Sequence, residues 1–285
     1  VLFPVLPGQF PGAPDNAWRL GTVGAEKNLT VDVAGITKAL TGQLSPAFHD
    51  LILIAAYVVA ADQVVPRGNA DDTDMGRNWR RRFRIVVGVE DPALWCQPEM
   101  TALLEETVGF LSDDYYAFEF QKSPTRSGEQ LSLSTLDGDP ILSWNQVEDV
   151  VLFSGGLDSL GGAVDQLLRQ QRGVILVSHR SAPKTWKTQR ELIRDLRSMA
   201  PDRNLPHVGI QVHRHGTDLR KERTQRTRSF LYAAIAGAVA NLIGKQRILF
   251  YENGVVAMNL PVSRQVVGAK ATRTTHPTVL NGFAK

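Results

Sequence analysis

Glu148-Asp149-Val150-Val151-Leu152-Phe153 leads into Ser154-Gly155-Gly156-Leu157-Asp158-Ser159, and then into Leu160-Gly161-Gly162-Ala163-Val164-Asp165-Gln166-Leu167-Leu168. An apolar run stops at a Ser-Gly-Gly turn, and apolar residues then recur with helical spacing. This order predicts strand, tight loop and helix N-terminus, the place where an α/β protein binds phosphate. Gly155 and Gly156 let backbone N–H groups converge on an anion with no Cβ in the way. Ser154 and Ser159 add hydroxyl donors, and Asp158 adds a carboxylate able to help hold Mg²⁺ on a triphosphate. Residues 154–159, Leu157 included, are therefore the candidate nucleotide-binding loop, with Asp158 and Ser159 as candidate catalytic residues. The loop lacks the Gly-Lys-Thr/Ser of Walker A and the dinucleotide Gly-x-Gly-x-x-Gly. The plainer alternative is a serine-rich turn that caps an ordinary helix.

From Glu148 onward the period is β-α-β. Strands are expected at 150–153, 174–178, 207–213 and 247–251, with helices to 171, over 184–199 and over 222–243. Strands separated by helices argue for a parallel sheet with right-handed crossovers. Residues 1–147 read differently and are expected to form a mixed α+β domain, suited to docking a partner or a substrate. A Pro/Gly-rich start gives way to a helix from Ser45, with Pro46 at its first position, to about Val65. A polar loop is expected at 69–74 and a strand at 80–89 with Phe83, Ile85 and Val87 on one face. A helix over 98–111 precedes a strand carrying Tyr116, Phe118 and Phe120, with Leu131 and Leu133 as its candidate partner. The expected domain border is 147/148.

Composition suits a globular chain: 285 residues, 43% hydrophobic and 21% charged, with a net charge of +3. A mild positive balance fits an anionic ligand such as ATP and falls short of a nucleic-acid-binding signature. A single cysteine, Cys96, excludes an intrachain disulfide and points to a reducing cytoplasmic home; beside Trp95 it is expected to be a buried small hydrophobe. No basic signal-peptide start is evident, and the longest apolar run, 51–61, is about half of a membrane span. A start on Val1 and an end at Lys285, just after a motif-rich loop, suggest a piece of a longer chain.

Three further groups fall at the carboxyl ends of the expected strands, where ligands of an open parallel sheet sit. Ser178 and His179 end the second strand, and are candidates to read adenine, ribose or phosphate. A solvated strand end is the alternative. Lys221–Arg228 opens the long helix; basic residues there oppose the helix dipole unless an anion is near, which makes Arg226 and Arg228 candidate phosphate ligands. A solvated first turn is the alternative. Glu252 and Asn253 end the fourth strand, and Arg273, Thr274 and His276 lie in the polar loop beyond; these five are candidate substrate-binding residues. The arginines at 77, 80, 81, 82 and 84, interleaved with Trp79 and Phe83, are expected to lie on an exposed strand face.

The Ser-Gly-Gly-x-Asp-Ser string at 154–159 resembles the pyrophosphate loop of the PP-loop ATP-pyrophosphatase superfamily. Together with 177–181, 224–231, Glu252-Asn253-Gly254 and 272–277, it resembles the QueC-like proteins of bacterial anti-phage Qat operons (the QatC family). Trp95 and the 114–120 strand look like that family's leading domain. The resemblance implies an adenine nucleotide α-hydrolase-like sheet and an ATP- and Mg²⁺-dependent ligase. Such an enzyme adenylates a 7-deazaguanine carboxylate, releasing pyrophosphate, on the way to an amide, a nitrile or a conjugate with an amine. It also implies partners encoded in the same defence operon, with no nucleic acid and no membrane as direct ligand. QueC enzymes carry a four-cysteine zinc site near the C-terminus; here only Cys96 exists, so zinc is implied only for a parent chain extending past residue 285. The rivals are another PP-loop chemistry on tRNA or a small metabolite, and a non-catalytic nucleotide-sensing subunit.

Overall fold

The computed structural model describes residues 2–4, 18–20, 29–31, 44–67, 80–123, 146–214, 226–253 and 273–285. The loop expected at 69–74, the Leu131/Leu133 strand, Arg77, Trp79, residues 221–225 and the stretch 254–272 lie outside them.

Two four-stranded parallel sheets carry the fold. The first has the order β2 (Trp18–Leu20), β1 (Leu2–Pro4), β4 (Arg82–Val89), β5 (Tyr115–Lys122). Strands β4 and β5 are joined through α2 (Pro92–Trp95) and α3 (Pro98–Ser112), a βαβ crossover. Of the described strands in 1–147, β1, β2, β4 and β5 pair parallel, and helices separate β4 from β5. The second sheet has the order β10 (Ile248–Leu249), β6 (Asp149–Leu152), β7 (Val174–His179), β8 (His207–Ile210), all parallel. Its helices are α4 (Leu157–Val164), continued by a π turn over Asp165–Arg169, α5 (Pro183–Met199) and α6 (Arg228–Leu242). The strand expected over 207–213 breaks at Gln211. Beyond it β9 (Val212–Arg214) leaves the sheet and pairs antiparallel with β3 (Leu29–Val31). The turned backbone presents the Val212 carbonyl to His179 Nε2 at 3.1 Å.

The strands of the second sheet are buried on both faces, as parallel strands must be. Val150, Leu152, Ile175 and Val177 face one core, while Val151, Phe153, Val174 and Leu176 face another, the two-residue alternation of a pleat. The smaller core is closed by α4 and α5 through Ala163, Leu167, Ile193 and Leu196. The larger one runs across the expected border at 147/148, joining Ile85, Val87 and Phe118 of the first sheet to Val150 and Ile175 of the second. Two helices fill the space between: α1 (Pro46–Val64), which touches β3 and β4, and α6, which touches β6, β7 and β10. Both are apolar nearly all round, the pattern of helices with no solvent face. Among the described residues α1 is the one helix long and apolar enough to cross a membrane, yet 72% of its most apolar 18-residue window is buried inside this core.

Polar groups pin the layers in register. Asp50 of α1 accepts from the backbone N–H groups of Glu90 and Asp91 and from Trp95 Nε1 at 3.2 Å, which anchors the turn after β4. Burial pushes its carboxyl above the usual aspartate range, against those backbone donors. Trp95 takes the inward position of α2 and leaves Cys96 exposed, correcting the expectation of a buried thiol. Asp149 binds Arg247 and Arg172, fastening β10 beside the start of β6. The largest network centres on Asp62 of α1, whose side chain is fully buried. Its Oδ1 accepts from Arg81, and its Oδ2 accepts from Thr227 N at 3.2 Å and Thr227 Oγ1 at 3.0 Å. Arg81 and Arg67 both bind Asp114 as well. Arg82 and Arg84 lie on the exposed face as expected, whereas Arg81 is only 7% exposed and is part of the core. Asp62 also explains why α6 starts at Arg228, with Arg226 and Thr227 in a turn rather than inside the expected 222–243 helix.

Removing one member of a buried ion network strands the others without partners. Asp62→Ala is expected to lower unfolding free energy by about 3–5 kcal/mol in urea denaturation. A loss below about 1 kcal/mol, the range of an exposed pair, contradicts the role given to this carboxylate.

Candidate functional site

Strand β6 lies between β7 on one side and β10 on the other, so the chain leaves it in one direction first and returns on its other flank later. The crevice of such a sheet opens at that reversal, beyond the carboxyl ends of the strands. Ser154 emerges there, and α4 begins three residues on.

The loop is built for close approach. Gly155 has φ +82°, a conformation side-chain-bearing residues avoid, and a Cβ there would stand 2.9 Å from Gln189 Cγ. Gly156 is the N-cap of α4, and no side chain caps the helix. The first intrahelical bond of the helix runs from Leu160 N to Gly156 O, so the N–H groups of residues 157–159 have no helical acceptor. The hydroxyls of Ser154 and Ser159 lie 3.1 Å apart; Ser159 Oγ donates to Gly156 O, and Ser154 Oγ accepts from Gly156 N. Ser159 is buried, whereas Leu157 and Asp158 are exposed, Leu157 at 84%.

The neighbouring strand ends close the crevice. Tyr251 lies flat on Gly162, where a Cβ would come within 2.1 Å of its ring, and its hydroxyl accepts from Gln166 Nε2 at 2.8 Å. This contact carries Glu252 and Asn253 to the flank of α4, where both are exposed. Partial burial and the negative charge of Asp158 raise the Glu252 carboxyl above the usual glutamate range, with Arg228 opposing. Asp158 and Arg228 thus both lie within electrostatic reach of Glu252.

Ser178 and His179 are both buried, and their roles are internal. Ser178 Oγ donates to Phe153 O at 2.7 Å, so at 2.9 Å it accepts from His207 Nε2, which fixes that tautomer. His207 stacks on Trp186, and Arg180 lies over the same indole system, 4.5 Å from a ring centroid. His179 Nε2 donates to Val212 O, and its ring meets Tyr232 edge-on at 5.9 Å. Burial lowers the His179 pKa to about 4 and that of His207 to about 3.

The remaining candidates gather elsewhere. Arg226 lies beside Arg67, Asp113, Asp114 and Arg273, and burial lowers its pKa. Arg273 donates to Phe110 O at 2.7 Å and lies over the Phe110 ring. His276 packs on the same ring and caps α7 (Pro277–Ala284) by accepting from Thr278 N. Thr274 is in the turn between them. Arg226, Arg273 and His276 gather around α3 and the Asp62 network, while Arg228 is grouped with Asp158 and Glu252. Among the described residues no three His, Cys, Asp or Glu side chains cluster as metal ligands.

The sequence reading passed over two crevice residues. Gln189 of α5 is fully buried and donates from Nε2 to Ser154 O at 3.0 Å, and Tyr232 of α6 is 7% exposed. Gln189 sits among Trp186, Ile193 and Leu196 at helical spacing; a polar residue inside an apolar stripe is the signal that finds it.

Both buried histidines titrate at ordinary values near 6.5 when unfolded and well below that when folded. The unfolded chain therefore binds more protons as pH falls from about 6.5 toward 4, and stability falls with it, by about 1.4 kcal/mol per pH unit for each histidine. His207→Gln keeps an N–H for Ser178 and is expected to roughly halve this slope in denaturation curves between pH 6 and 4.5. An unchanged slope contradicts the neutral, buried state of His207. Comparison of the chain with family models, with curated proteins and with solved structures returned no match.

Proposed function

We propose that the crevice binds ATP with Mg²⁺ and activates a carboxylate by adenylation. The observation that supports this reading is the uncapped N-terminus of α4 behind Ser154-Gly155-Gly156, at the point where the sheet reverses direction. Backbone N–H groups of 157–159 and the hydroxyl of Ser154 provide donors for phosphate oxygens. The absence of Cβ atoms at 155 and 156 allows the phosphates to reach them. Asp158, exposed beside Glu252, would hold Mg²⁺, which neutralises phosphate charge when bound.

Gripping the β- and γ-phosphates makes pyrophosphate the leaving group. An oxygen of the substrate carboxylate attacks the α-phosphorus. The bond from that phosphorus to the α–β bridging oxygen breaks, and pyrophosphate departs with the electron pair. The acyl-adenylate then takes an amine, forming the C–N bond and releasing AMP. Positioning and charge neutralisation supply most of the rate in such a reaction. The resemblance to the QueC-like proteins makes 7-carboxy-7-deazaguanine the acid to test, with ammonia or a protein amine from a defence-operon partner as acceptor in the cytoplasm.

Incubation with ATP, Mg²⁺ and 7-carboxy-7-deazaguanine is expected to yield AMP and pyrophosphate. Asp158→Ala is expected to lower AMP formation by roughly 100-fold or more with the fold intact by circular dichroism. Chromatographic detection of AMP at the parental rate in that variant contradicts the assignment. ATP binding with no AMP from any carboxylate, even with partners present, favours a nucleotide-sensing subunit.

A further inference from the structure

Gln189 of α5 is fully buried, and its stem lies directly against the Ser154 loop. A Cβ at Gly155 would stand 2.9 Å from Gln189 Cγ, and Gln189 Nε2 donates to Ser154 O at 3.0 Å. Ile193 and Leu196, one and two turns further along the same face of α5, are apolar. A buried amide costs desolvation that an apolar side chain of similar size avoids, so the bond to the loop is what the amide adds. That bond fixes more than a carbonyl. Ser154 C=O and Gly155 N–H belong to one planar trans peptide, so they point in opposite directions. With the carbonyl held to α5, the Gly155 N–H points away from α5. Among the described residues that N–H has no hydrogen-bond acceptor, whereas the Gly156 N–H is taken up by Ser154 Oγ. Glycine accepts either sign of φ, so the loop's own sequence leaves this peptide free to turn over. Turned over, it would offer the Ser154 carbonyl oxygen to an anion in place of a donor.

Building on the adenylation reading, we infer that Gln189 is a positioning residue of the phosphate loop. It holds the Ser154–Gly155 peptide so that the Gly155 N–H joins the N–H groups of 157–159 as a phosphate donor. Backbone N–H groups that converge around a residue of positive φ make a concave anion nest, and Gln189 sets the direction of the first of them. Gln189 itself touches no phosphate and acts through the peptide it holds. Its own amide is steadied in turn, because the Tyr232 hydroxyl of α6 bears on the same side chain.

The probe is Mg-ATP, titrated into the full chain labelled with ¹³C-carbonyl serine and ¹⁵N glycine. Carbonyl-filtered NMR then reports only Gly155 and Gly128, the glycines that follow serine, and Gly128→Ala tells them apart. Saturation is expected to move the Gly155 amide downfield, as a hydrogen bond to phosphate does. Gln189→Met keeps the volume and removes the donor; it is expected to weaken Mg-ATP by about tenfold or more, the worth of one hydrogen bond to a charged group. At saturating Mg-ATP its Gly155 amide is expected to stay unshifted, whereas a merely structural side chain would lower affinity or stability and leave the shift in place. Affinity in Gln189→Met within about twofold of the parent, or a Gly155 shift retained at saturation, overturns the inference. So does a parent chain that binds Mg-ATP with Gly155 unmoved. Failure of the parent to bind Mg-ATP overturns the adenylation reading itself. Gln189→Glu serves if the Met variant fails to fold, because a neutral carboxyl donates to Ser154 O and an ionised one repels it. In that variant the Gly155 shift is expected to fade between about pH 5 and pH 8 while the parent keeps it, and a shift that persists throughout counts against the role.

Discussion

Asp62 occupies the position on which both halves of this chain depend. Its carboxylate is removed from water, which is costly, and the cost is offset because both oxygens are engaged by donors from different layers. Arg81 and Arg67 tie it to Asp114 at the start of the first sheet's last strand, and Thr227 ties it to the start of α6. One side chain thereby sets where the helix begins. It follows that Arg228 and Tyr232, one and five positions further on, are presented to the crevice by an interaction made in the opposite half of the molecule. The N-terminal half thereby takes part in placing α6.

The crevice combines two kinds of polar surface. At its mouth, the backbone of residues 157–159 and the Ser154 hydroxyl present donors, and Asp158 and Glu252 present carboxyl groups. Deeper down, the side chains of Gln189 and Arg228 and the His179 backbone all bear on the Tyr232 hydroxyl. The two are joined through Gln189, whose bond to the Ser154 carbonyl also fills the space that Gly155 leaves open.

Much of this was legible in the sequence, and the rest was hidden for definite reasons. The strand–loop–helix at 149–164 followed from local pattern, because the apolar alternation, the glycines and the helical spacing each act over a few residues. The helix over 46–64 and the strands at 82–89 and 115–122 were read from the same short-range signals. What escaped was non-local. Arg81 differs from Arg82 and Arg84 only in facing Asp62 and Asp114, which lie 19 and 33 residues away. The break at Gln211 depends on β3, far back in the chain, offering an edge to β9. Arg226, Arg273 and His276 were read together with the loop because all are polar and follow strand ends, whereas packing on Phe110 gathers Arg273 and His276 around α3. Asp62 itself carried a faint mark, an acid closing an otherwise apolar run in a helix.

Hydrogen–deuterium exchange of the full chain with and without saturating Mg-ATP tests the central claim most directly. Engagement of the α4 N-terminus by phosphate predicts slowed exchange at residues 155–160 and in the first turn of α6, which carries Arg228. Unchanged exchange at 155–160 in the presence of bound nucleotide, with protection centred elsewhere, would contradict the account.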